Sequence, residues 1–242
     1  MSDTRRLIHY AQLEDRRGAL RSPIRLAVVT DLHNGPYAEL LPLMEGVDAI
    51  LIVGDMVRRY SDGYDQALAF LREVPDIAPT YYSLGNHEIR LASRETYLQA
   101  VAETRVTLLD NRVLRLREDI ALGGLTSTRR TTPEEASALV ASLAREEGYR
   151  LLMSHHPEDY FRLIRGHGID LTLSGHAHGG QIQVFGRGLY APGQGLLPRW
   201  TDGFYDDNHL LVSRGLTNSN PVPRWGNPCE LILLTLIPKR TA

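Results

Sequence analysis

The sequence predicts an α/β fold built from mixed β-sheets, and three observations indicate it. Short apolar runs alternate with segments of helical periodicity through the first half of the chain. Apolar and polar residues alternate around a charged turn at residues 112–125, as is typical of an antiparallel hairpin. Later apolar runs bring the total to about eight to ten strands, so the chain needs two packed sheets or one very large sheet.

In the first half, apolar runs rich in β-branched residues predict buried strands, namely IRLAVVT at 24–30, DAILIVG at 48–54 and PTYYSLG at 79–85. The segments after them carry apolar residues at helical spacing and predict helices, at 37–46, 61–74 and 93–104. This alternation of strand and helix is typical of α/β proteins.

The second half begins with a helix predicted at 131–148. Thr132 can cap it, Pro133 suits its first turn, Glu135 completes a capping box and Gly148 lies at its exit. Five more apolar runs predict strands: RLLMS (150–154), IDLTLS (169–174), QIQVF (181–185), NHLLVS (208–213) and CELILLTLI (229–237). We expect the last three strands to be antiparallel neighbours.

Two segments lack regular patterning. Residues 1–22 read as a polar N-terminal arm, and residues 186–207 form a long connection rich in glycine and aromatic residues. Connections of that length usually bind ligands, so we predict an active-site loop there. No internal repeat or linker divides the chain, and residues 1–242 are therefore predicted to form a single domain.

Composition limits the function. With 43% apolar residues and a net charge of −2, the chain suits a globular protein and gives no reason to expect specific nucleic-acid binding. Cys229 is the single cysteine, which excludes an internal disulfide and argues against redox chemistry. No apolar run approaches the ~20 residues of a membrane span, and the N-terminus lacks an export signal. We predict a cytoplasmic protein for which peripheral membrane contact stays open.

Polar residues directly follow five of the predicted strands. They are Asp31, His33, Asp55, Asn86, His87, Glu88, His155, His156, His176 and His178. Because the carboxyl ends of strands in α/β sheets share one edge, we expect these side chains to meet. Imidazole and carboxylate donors without cysteine suit zinc, manganese or iron(II). The sequence therefore predicts a metal site at this edge.

Each of these residues also has an ordinary explanation when it is taken alone. Asp31 and Asp55 could simply turn the chain, and Asn86 could cap a helix. The pair His176 and His178 is more specific, because two imidazoles one residue apart can grip one or two ions. Five strands that all end in ligand-type residues favour metal binding over these local roles.

The chain resembles the calcineurin-like metallophosphoesterases in the order and approximate spacing of five motifs: Asp31-x-His33, Gly54-Asp55, Gly85-Asn86-His87-Glu88, His155 and Gly175-His176-x-His178. The resemblance implies a four-layer sandwich, in which two mixed β-sheets pack face to face with helices outside. It also implies two divalent metal ions as cofactors, with Mn²⁺ expected ahead of Zn²⁺ or Fe²⁺.

The resemblance assigns the metal ligands in two groups that share Asp55 as a bridge: Asp31, His33 and His178 for one ion, and Asn86, His155 and His176 for the other. Asp55, Asn86 and His87 are the implied catalytic residues, and His87 would contact the phosphoryl group and protonate the leaving oxygen. Glu88 is a candidate outer carboxylate that orients a histidine.

Two ions about 3.5–4 Å apart can share a hydroxide for in-line attack on phosphorus, without a covalent nucleophile. The predicted function is a dinuclear-metal-dependent phosphoester hydrolase, a phosphodiesterase or pyrophosphatase. A phosphomonoesterase is the alternative, although Leu84 stands where protein phosphatases of this superfamily carry an arginine. A non-catalytic scaffold on the same fold is a weaker alternative, because no ligand position is missing.

The stretch SGHAHGGQIQVFG at 174–186 resembles a bacterial branch that includes membrane-associated phosphodiesterases and UDP-diacylglucosamine pyrophosphatases. The expected substrate is a small phosphodiester or a nucleotide-linked molecule. Cys229 replaces a proline typical of the branch, and the branch's N-terminal anchor is missing, which weakens the case for a lipid substrate. The expected substrate-binding residues are Arg187, Arg214 and Tyr190, with Arg129, Arg130 and Arg224 as further phosphate-binding candidates.

Overall fold

The computed structural model of the protein describes residues 6–60, 63–218 and 222–240. Its strands form two six-stranded mixed sheets and two short two-stranded ribbons. The strands are β1 (Arg6–Glu14), β2 (Ile24–Val29), β3 (Ala49–Val53), β4 (Thr80–Ser83), β5 (Thr107–Leu108), β6 (Arg112–Arg117), β7 (Ile120–Leu125), β8 (Tyr149–Ser154), β9 (Leu171–Ser174), β10 (Gln183–Val184), β11 (Arg187–Gly188), β12 (Tyr190–Ala191), β13 (Gly195–Leu196), β14 (Gly203–Tyr205), β15 (Leu210–Val212) and β16 (Cys229–Ile237).

The helices are short. They are α1 (Asp65–Glu73), α2 (Asn86–Ile89), α3 (Arg94–Ala102), α4 (Pro133–Ala144) and α5 (Pro157–Asp159), which continues as a π-helix over Tyr160–Ile164. Further 3₁₀ turns lie at Ala38–Leu40, Pro42–Met44, Val74–Asp76 and His178–Gly180. Among the described residues, every helix falls short of the length and apolarity needed to cross a bilayer.

Both sheets have a parallel centre. The first sheet has the order β1-β16-β2-β3-β4-β5, and β2 to β5 run parallel. The second sheet has the order β14-β15-β9-β8-β7-β6, with β15, β9, β8 and β7 parallel and antiparallel strands at both edges. In each sheet the carboxyl ends of the parallel strands therefore share one edge.

Alternating side chains hold the layers together. Along β2, Leu26 and Val28 join the core between the two sheets, whereas Ala27 and Val29 pack on the opposite face with α1 and α3. The outer face of the second sheet is covered by α4 and the π-helix in the same way. The resulting helix, sheet, sheet, helix order confirms the expected fold class.

The structure agrees with the local predictions where the sequence carries strong turn and helix-capping signals. The hairpin over 112–125 is β6 and β7, paired antiparallel. Thr132 Oγ1 accepts a hydrogen bond from the Glu135 N–H (3.2 Å), and the Glu135 carboxylate accepts one from the Thr132 N–H (2.8 Å), so the capping box at α4 is present. The segment 37–46, predicted as one helix, instead forms two 3₁₀ turns, the second of which begins at Pro42.

The expectation that the last three predicted strands are antiparallel neighbours is wrong. β10 forms a ribbon with β11, β15 pairs in parallel with β9, and β16 lies in the other sheet between β1 and β2. The reason is the connection after β15, which crosses from one sheet to the other: the Leu216 N–H donates to the carbonyl of Thr30 directly after β2.

The two segments without patterning contain strands. Residues 6–14 of the expected polar arm form β1, which pairs with β16 in parallel over its whole length. The long connection 186–207 contains β11 to β14 and is held by backbone hydrogen bonds such as Leu197 N–H to Leu189 O (2.9 Å). Periodicity did not predict either case, because β1 is an edge strand and the strands within 186–207 are only two or three residues long.

Candidate metal centre

Loops from both sheets meet at the shared edge and are bonded to one another. The Asp31 N–H donates to the carbonyl of Gly54 (3.1 Å), and the His33 N–H donates to that of Asp55 (3.0 Å). Across the sheets, Nδ1 of His155 donates to the carbonyl of Val53 (2.8 Å). Backbone hydrogen bonds thus join the ends of β2 and β3, and the His155 ring joins the end of β8 to them, which fixes the positions of the side chains they carry.

A first group of ligand-type atoms comprises Asp31, His33 and His178. Oδ1 of Asp31 lies 3.6 Å from Nε2 of His33 and 3.5 Å from Nε2 of His178, and the two nitrogens are 3.3 Å apart. Donor atoms ~2.0–2.2 Å from one ion stand about 3.3–3.6 Å apart in a tetrahedron. Oδ1 of Asp31 is buried without a hydrogen-bond partner, so this group fits a metal ion.

A second group comprises Asp55, His155 and His176, whose ligand-type atoms lie within 4.8 Å of one another. Nε2 of His155 is 3.0 Å from Oδ2 of Asp55. Oδ1 of the neighbouring Asn86 and Nε2 of His176 are buried without a hydrogen-bond partner. Buried polar atoms of this kind are costly unless something binds them, and a cation satisfies the Asn86 oxygen.

Asp55 connects the two groups. It belongs to the second group and also to a third set with His33 and His87. Its Oδ1 accepts the backbone N–H of His87 (2.8 Å). The carboxylate therefore lies between residues that the two expected metal positions would use.

Charge in this cluster favours cations. Burial would raise the pKa of Asp55, but the nearby His155 keeps that pKa well below its usual value. In the same way, His178 and His33 lower the pKa of Asp31 against the effect of its burial. Burial lowers the pKa of His178 to about 3, so this ring is neutral. Although burial opposes it, Asp55 raises the pKa of His155 to about 10. Ionised carboxylates beside imidazoles make up a donor set for divalent metals.

The backbone at the cluster adopts the left-handed conformation repeatedly. The non-glycine residues concerned are Asp31 (φ 56°), His33 (φ 49°), Asp55 (φ 56°), His176 (φ 67°) and His178 (φ 48°). Such conformations cost of order 1–3 kcal/mol each and persist where the surroundings determine them. Gly175 permits a close approach, since a Cβ there would lie 2.5 Å from Oδ2 of Asp31.

A cavity of about 290 Å³ opens beside the cluster. Its lining combines Asp55, Asn86, His87, His176 and His178 with four arginines, Arg58, Arg59, Arg90 and Arg129. Tyr60 and Tyr190 supply aromatic surface. The ligand-type side chains and a basic wall thus face the same space.

Comparison with known proteins identifies the family. The model of the calcineurin-like phosphoesterase family matches residues 24–180. The chain belongs to this family. The match spans the five motifs, and the predicted family is confirmed.

Relatives within the calcineurin-like phosphoesterases are distant. The chain is 26% identical over 236 residues to an uncharacterized metallophosphoesterase of Helicobacter pylori strain J99, covering 92% of this chain and 62% of that protein. It is 25% identical over 220 residues to phosphodiesterase YaeI of Escherichia coli K12, covering 81% of this chain and 76% of that protein. The chain thus spans about three fifths of the length of the Helicobacter relative.

A solved structure of Haemophilus influenzae NAD nucleotidase (NadN) shares the fold. Its TM-score is 0.53 at 14% identity, covering 81% of this chain and 46% of that chain. At this identity the similarity supports the calcineurin-like phosphoesterase fold and carries no statement about substrate.

His87 has a defined tautomer in this arrangement. Its Nδ1 accepts the backbone N–H of Arg59 (3.3 Å), so the proton of the neutral ring is on Nε2, which lies 4.0 Å from Oδ2 of Asp55. Burial lowers the pKa of His87 to about 4. At neutral pH the ring therefore presents an N–H group toward Asp55.

Glu88 differs from the sequence-based expectation that it orients a histidine. It is fully buried, and its carboxylate accepts the backbone N–H groups of Gly85 (2.8 Å), Asp55 (2.9 Å) and Val57 (3.1 Å). Burial raises its pKa. The residue therefore ties the loop after β3 to the start of α2, and through it sets the positions of Asp55 and Asn86.

Only some of the expected substrate-binding residues lie at the cavity. Tyr190 and Arg129 line the cavity. Arg187 lies on the exposed ribbon of β10 and β11 and is not among the cavity's lining residues, and Arg214 instead binds the carboxylate of Asp202 (2.7 Å). Arg224 is buried below the rim, where its Nη2 lies 3.0 Å from Nδ1 of His178. A surface phosphate contact is therefore excluded for Arg224 in this conformation.

Sequence reasoning missed Arg58, Arg59 and Arg90 as cavity residues. A signal was present, because Arg58 and Arg59 follow Asp55 by three and four positions and Arg90 follows His87 by three. Residues this close to a ligand motif belong to the same loop as the ligands. Their side chains are therefore expected to border the site.

Proposed function

We propose that the chain is a dinuclear-metal-dependent phosphoester hydrolase that cleaves a phosphodiester or pyrophosphate bond. The observation that carries this proposal is the arrangement of Asp31, His33 and His178 at separations of 3.3–3.6 Å, beside a second group that contains Asp55. Membership in the calcineurin-like phosphoesterase family supports the same conclusion.

The residues present would hold two ions in the partition that the family resemblance implies. Asp31, His33 and His178 would hold one ion, and Asn86, His155 and His176 would hold the other, with Asp55 shared. His33 and His155 donate Nδ1–H to the carbonyls of Val57 (3.2 Å) and Val53 (2.8 Å), which directs Nε2 of each ring toward the expected metal positions. A metal at the second position would displace the proton that Asp55 holds on Nε2 of His155. A pair of divalent ions, Mn²⁺ in our proposal, supplies activated water and charge stabilisation.

His87 would act on the substrate directly. Its Nε2–H is held toward Asp55 by the hydrogen bond that Nδ1 accepts from Arg59. A phosphoryl oxygen or a leaving oxygen in the cavity can accept this N–H as negative charge develops. Asp55 fixes the position of His87 in turn, because its carboxylate accepts the His87 backbone N–H.

The lining of the cavity favours a substrate with more than one anionic group. Arg58, Arg59, Arg90 and Arg129 surround a space whose metal positions would already bind one phosphoryl group. One guanidinium group can bind two oxygens of a phosphate at once. The four arginines therefore suit a substrate that carries a second phosphate. Tyr60 and Tyr190 offer faces for a base or another planar group. A nucleotide-linked diphosphate therefore fits this cavity better than a simple monoester.

Metal analysis and a substrate panel on one preparation test the proposal. We expect two divalent ions per chain, hydrolysis of a bis-aryl phosphate above the mono-aryl phosphate, and faster hydrolysis of a nucleoside diphosphate sugar. Monoester turnover a hundredfold above diester turnover would identify a phosphomonoesterase instead. Purified protein that binds neither manganese nor zinc and hydrolyses none of these would identify a non-catalytic scaffold.

Arginine variants test the substrate class. Arg90→Ala should raise KM for the nucleoside diphosphate sugar about tenfold or more and change KM for the bis-aryl phosphate little, because only the former has a second phosphate to bind. Arg145→Ala, at the exposed end of α4, is the matched control. Equal effects on both substrates would contradict a role for Arg90 in binding a second phosphate.

A further inference from the structure

A group of large apolar side chains projects from the loops beside the cavity. We call it the apolar tip surface, and it consists of Val184, Phe185, Leu196, Leu197, Val222 and Trp225. Phe185 is fully exposed, Leu196 and Leu197 are 81% and 74% exposed, and Trp225 is 61% exposed. Scattered exposed apolar residues are ordinary, but a contiguous set on neighbouring loops indicates an interaction surface.

The residues of this surface come from loops that are bonded together. The Gln183 N–H donates to the carbonyl of Trp225 (2.9 Å), which joins the β10 segment to the 222–228 loop. The Leu189 N–H donates to Ile182 (2.8 Å) and the Leu197 N–H to Leu189 (2.9 Å), which joins both ribbons. The loops that carry the exposed side chains are therefore held next to one another.

Two residues of the apolar tip surface have a backbone conformation that is unfavourable for their side chains. Phe185 (φ 50°) and Leu197 (φ 51°) both adopt the left-handed conformation, which suits glycine or asparagine and strains bulky side chains. Both side chains are nevertheless directed into solvent, where they gain little packing. Apolar residues placed at such positions are explained if another apolar medium receives them.

The segments that carry the tips have basic residues, and the nearby carboxylate of Asp202 is paired with Arg214 (2.7 Å). Residues 179–200 contain Arg187 and Arg199 and no acidic residue, and residues 222–228 contain no acidic residue either, in a chain whose net charge is −2. Both arginines are exposed beside the apolar tips. Apolar and aromatic tips flanked by exposed arginines are the features that bind the interface of an anionic bilayer.

We propose that the apolar tip surface docks the protein on an anionic lipid bilayer, with Phe185, Leu197 and Trp225 entering the interface and Arg187 and Arg199 meeting lipid phosphates. A symmetric contact between two copies fits less well, because it would bring the same basic loops together. Tyr190 pairs with Leu196 and also lines the cavity, so docking would place the cavity beside the membrane surface.

Vesicle sedimentation tests this proposal without reference to catalysis. We expect the protein to sediment with phosphatidylcholine vesicles that contain phosphatidylglycerol, and much less with phosphatidylcholine alone or at high salt. Phe185→Asn with Leu197→Asn should weaken binding about tenfold or more, because two apolar insertions are lost. Arg187→Gln with Arg199→Gln should remove most of the preference for the anionic vesicles.

The control is Leu7→Asn with Tyr10→Asn, which removes two exposed apolar side chains from β1 and should leave binding unchanged. Asparagine tolerates the left-handed conformation, so the tip variant should melt no lower than the wild type and keep its bis-aryl phosphate hydrolysis. Equal sedimentation of the wild type and the tip variant would overturn the proposal. So would a concentration-dependent dimer, seen by light scattering, that the tip variant abolishes.

Discussion

The metal cluster and the apolar tip surface both use left-handed backbone in non-glycine residues, and they use it in opposite ways. In the cluster, Asp31 and Asp55 are buried, and their backbone N–H groups donate to Gly54 and Glu88. At the tips, Phe185 and Leu197 have similar φ values but project into solvent.

The difference shows what supports a strained conformation in each place. Two sheets and a buried carboxylate, Glu88, determine the backbone of the cluster, so the polar side chains are directed inward before any ligand binds. The tips gain no packing that would offset their strain within the described protein. We therefore expect substitutions in the cluster to affect chemistry and metal binding, and substitutions at the tips to affect the surface they present.

The largest effect is expected at the shared carboxylate. Asp55→Asn removes the negative charge between the two ligand groups, and we expect turnover to fall about 10³-fold or more together with loss of metal. Phosphodiester kinetics and elemental analysis of the purified variant measure both. A variant that keeps its metal and its rate would remove Asp55 from the site.

The next effect separates catalysis from metal binding. His87→Ala should lower kcat by about 10²–10⁴-fold while the metal content stays at the wild-type level, because its Nε2 is directed toward the reacting groups in our proposal. His167→Ala, at an exposed turn, is the control and should change neither quantity. Loss of metal in His87→Ala equal to that in Asp55→Asn would assign His87 to the ligand set.

A backbone substitution tests how tightly the cluster is determined. Gly175→Ala would place a Cβ 2.5 Å from Oδ2 of Asp31 and 2.8 Å from Cβ of Thr30. We therefore expect the free energy of unfolding to fall by about 1–3 kcal/mol and the metal affinity to fall as well. Gly63→Ala meets no atom within 4 Å and serves as the control. Urea denaturation with and without added Mn²⁺ measures both effects. An unchanged denaturation midpoint would mean that the loops of the cluster can shift to accommodate the added Cβ.

The smallest effect is expected at the tips and has the opposite sign. Leu197→Gly relieves the left-handed strain of a side chain that packs little, so we expect stability to rise by up to about 1 kcal/mol. Leu196→Gly, at an exposed strand position beside it, should instead lower stability by about 0.5–1 kcal/mol. Calorimetry of both variants decides the comparison, and a destabilised Leu197→Gly would show that the tip packs within the protein.

Much of the fold could be predicted because its elements carry strong local signals. The apolar runs that became β2, β3, β8 and β9 end directly before ligand-type residues, and the capping box of α4 is readable from Thr132 and Glu135. The candidate site followed from these strand ends, since parallel strands share one carboxyl edge. The roles of Glu88 and Arg224 could not be predicted, because both depend on backbone groups far away in the sequence or in other loops.

By itself, the sequence determined the apolar strands from β2 to β9 that carry the site and the polar residues that follow them, because apolar periodicity and capping act over a few residues. Only the tertiary structure decided that β16 pairs with β1 and β2 while β15 joins the other sheet, and that Arg59 and Arg90 border the cavity while Arg214 binds Asp202. Strand pairing and side-chain direction depend on contacts between residues as far apart as Arg6 and Cys229, which no local pattern records.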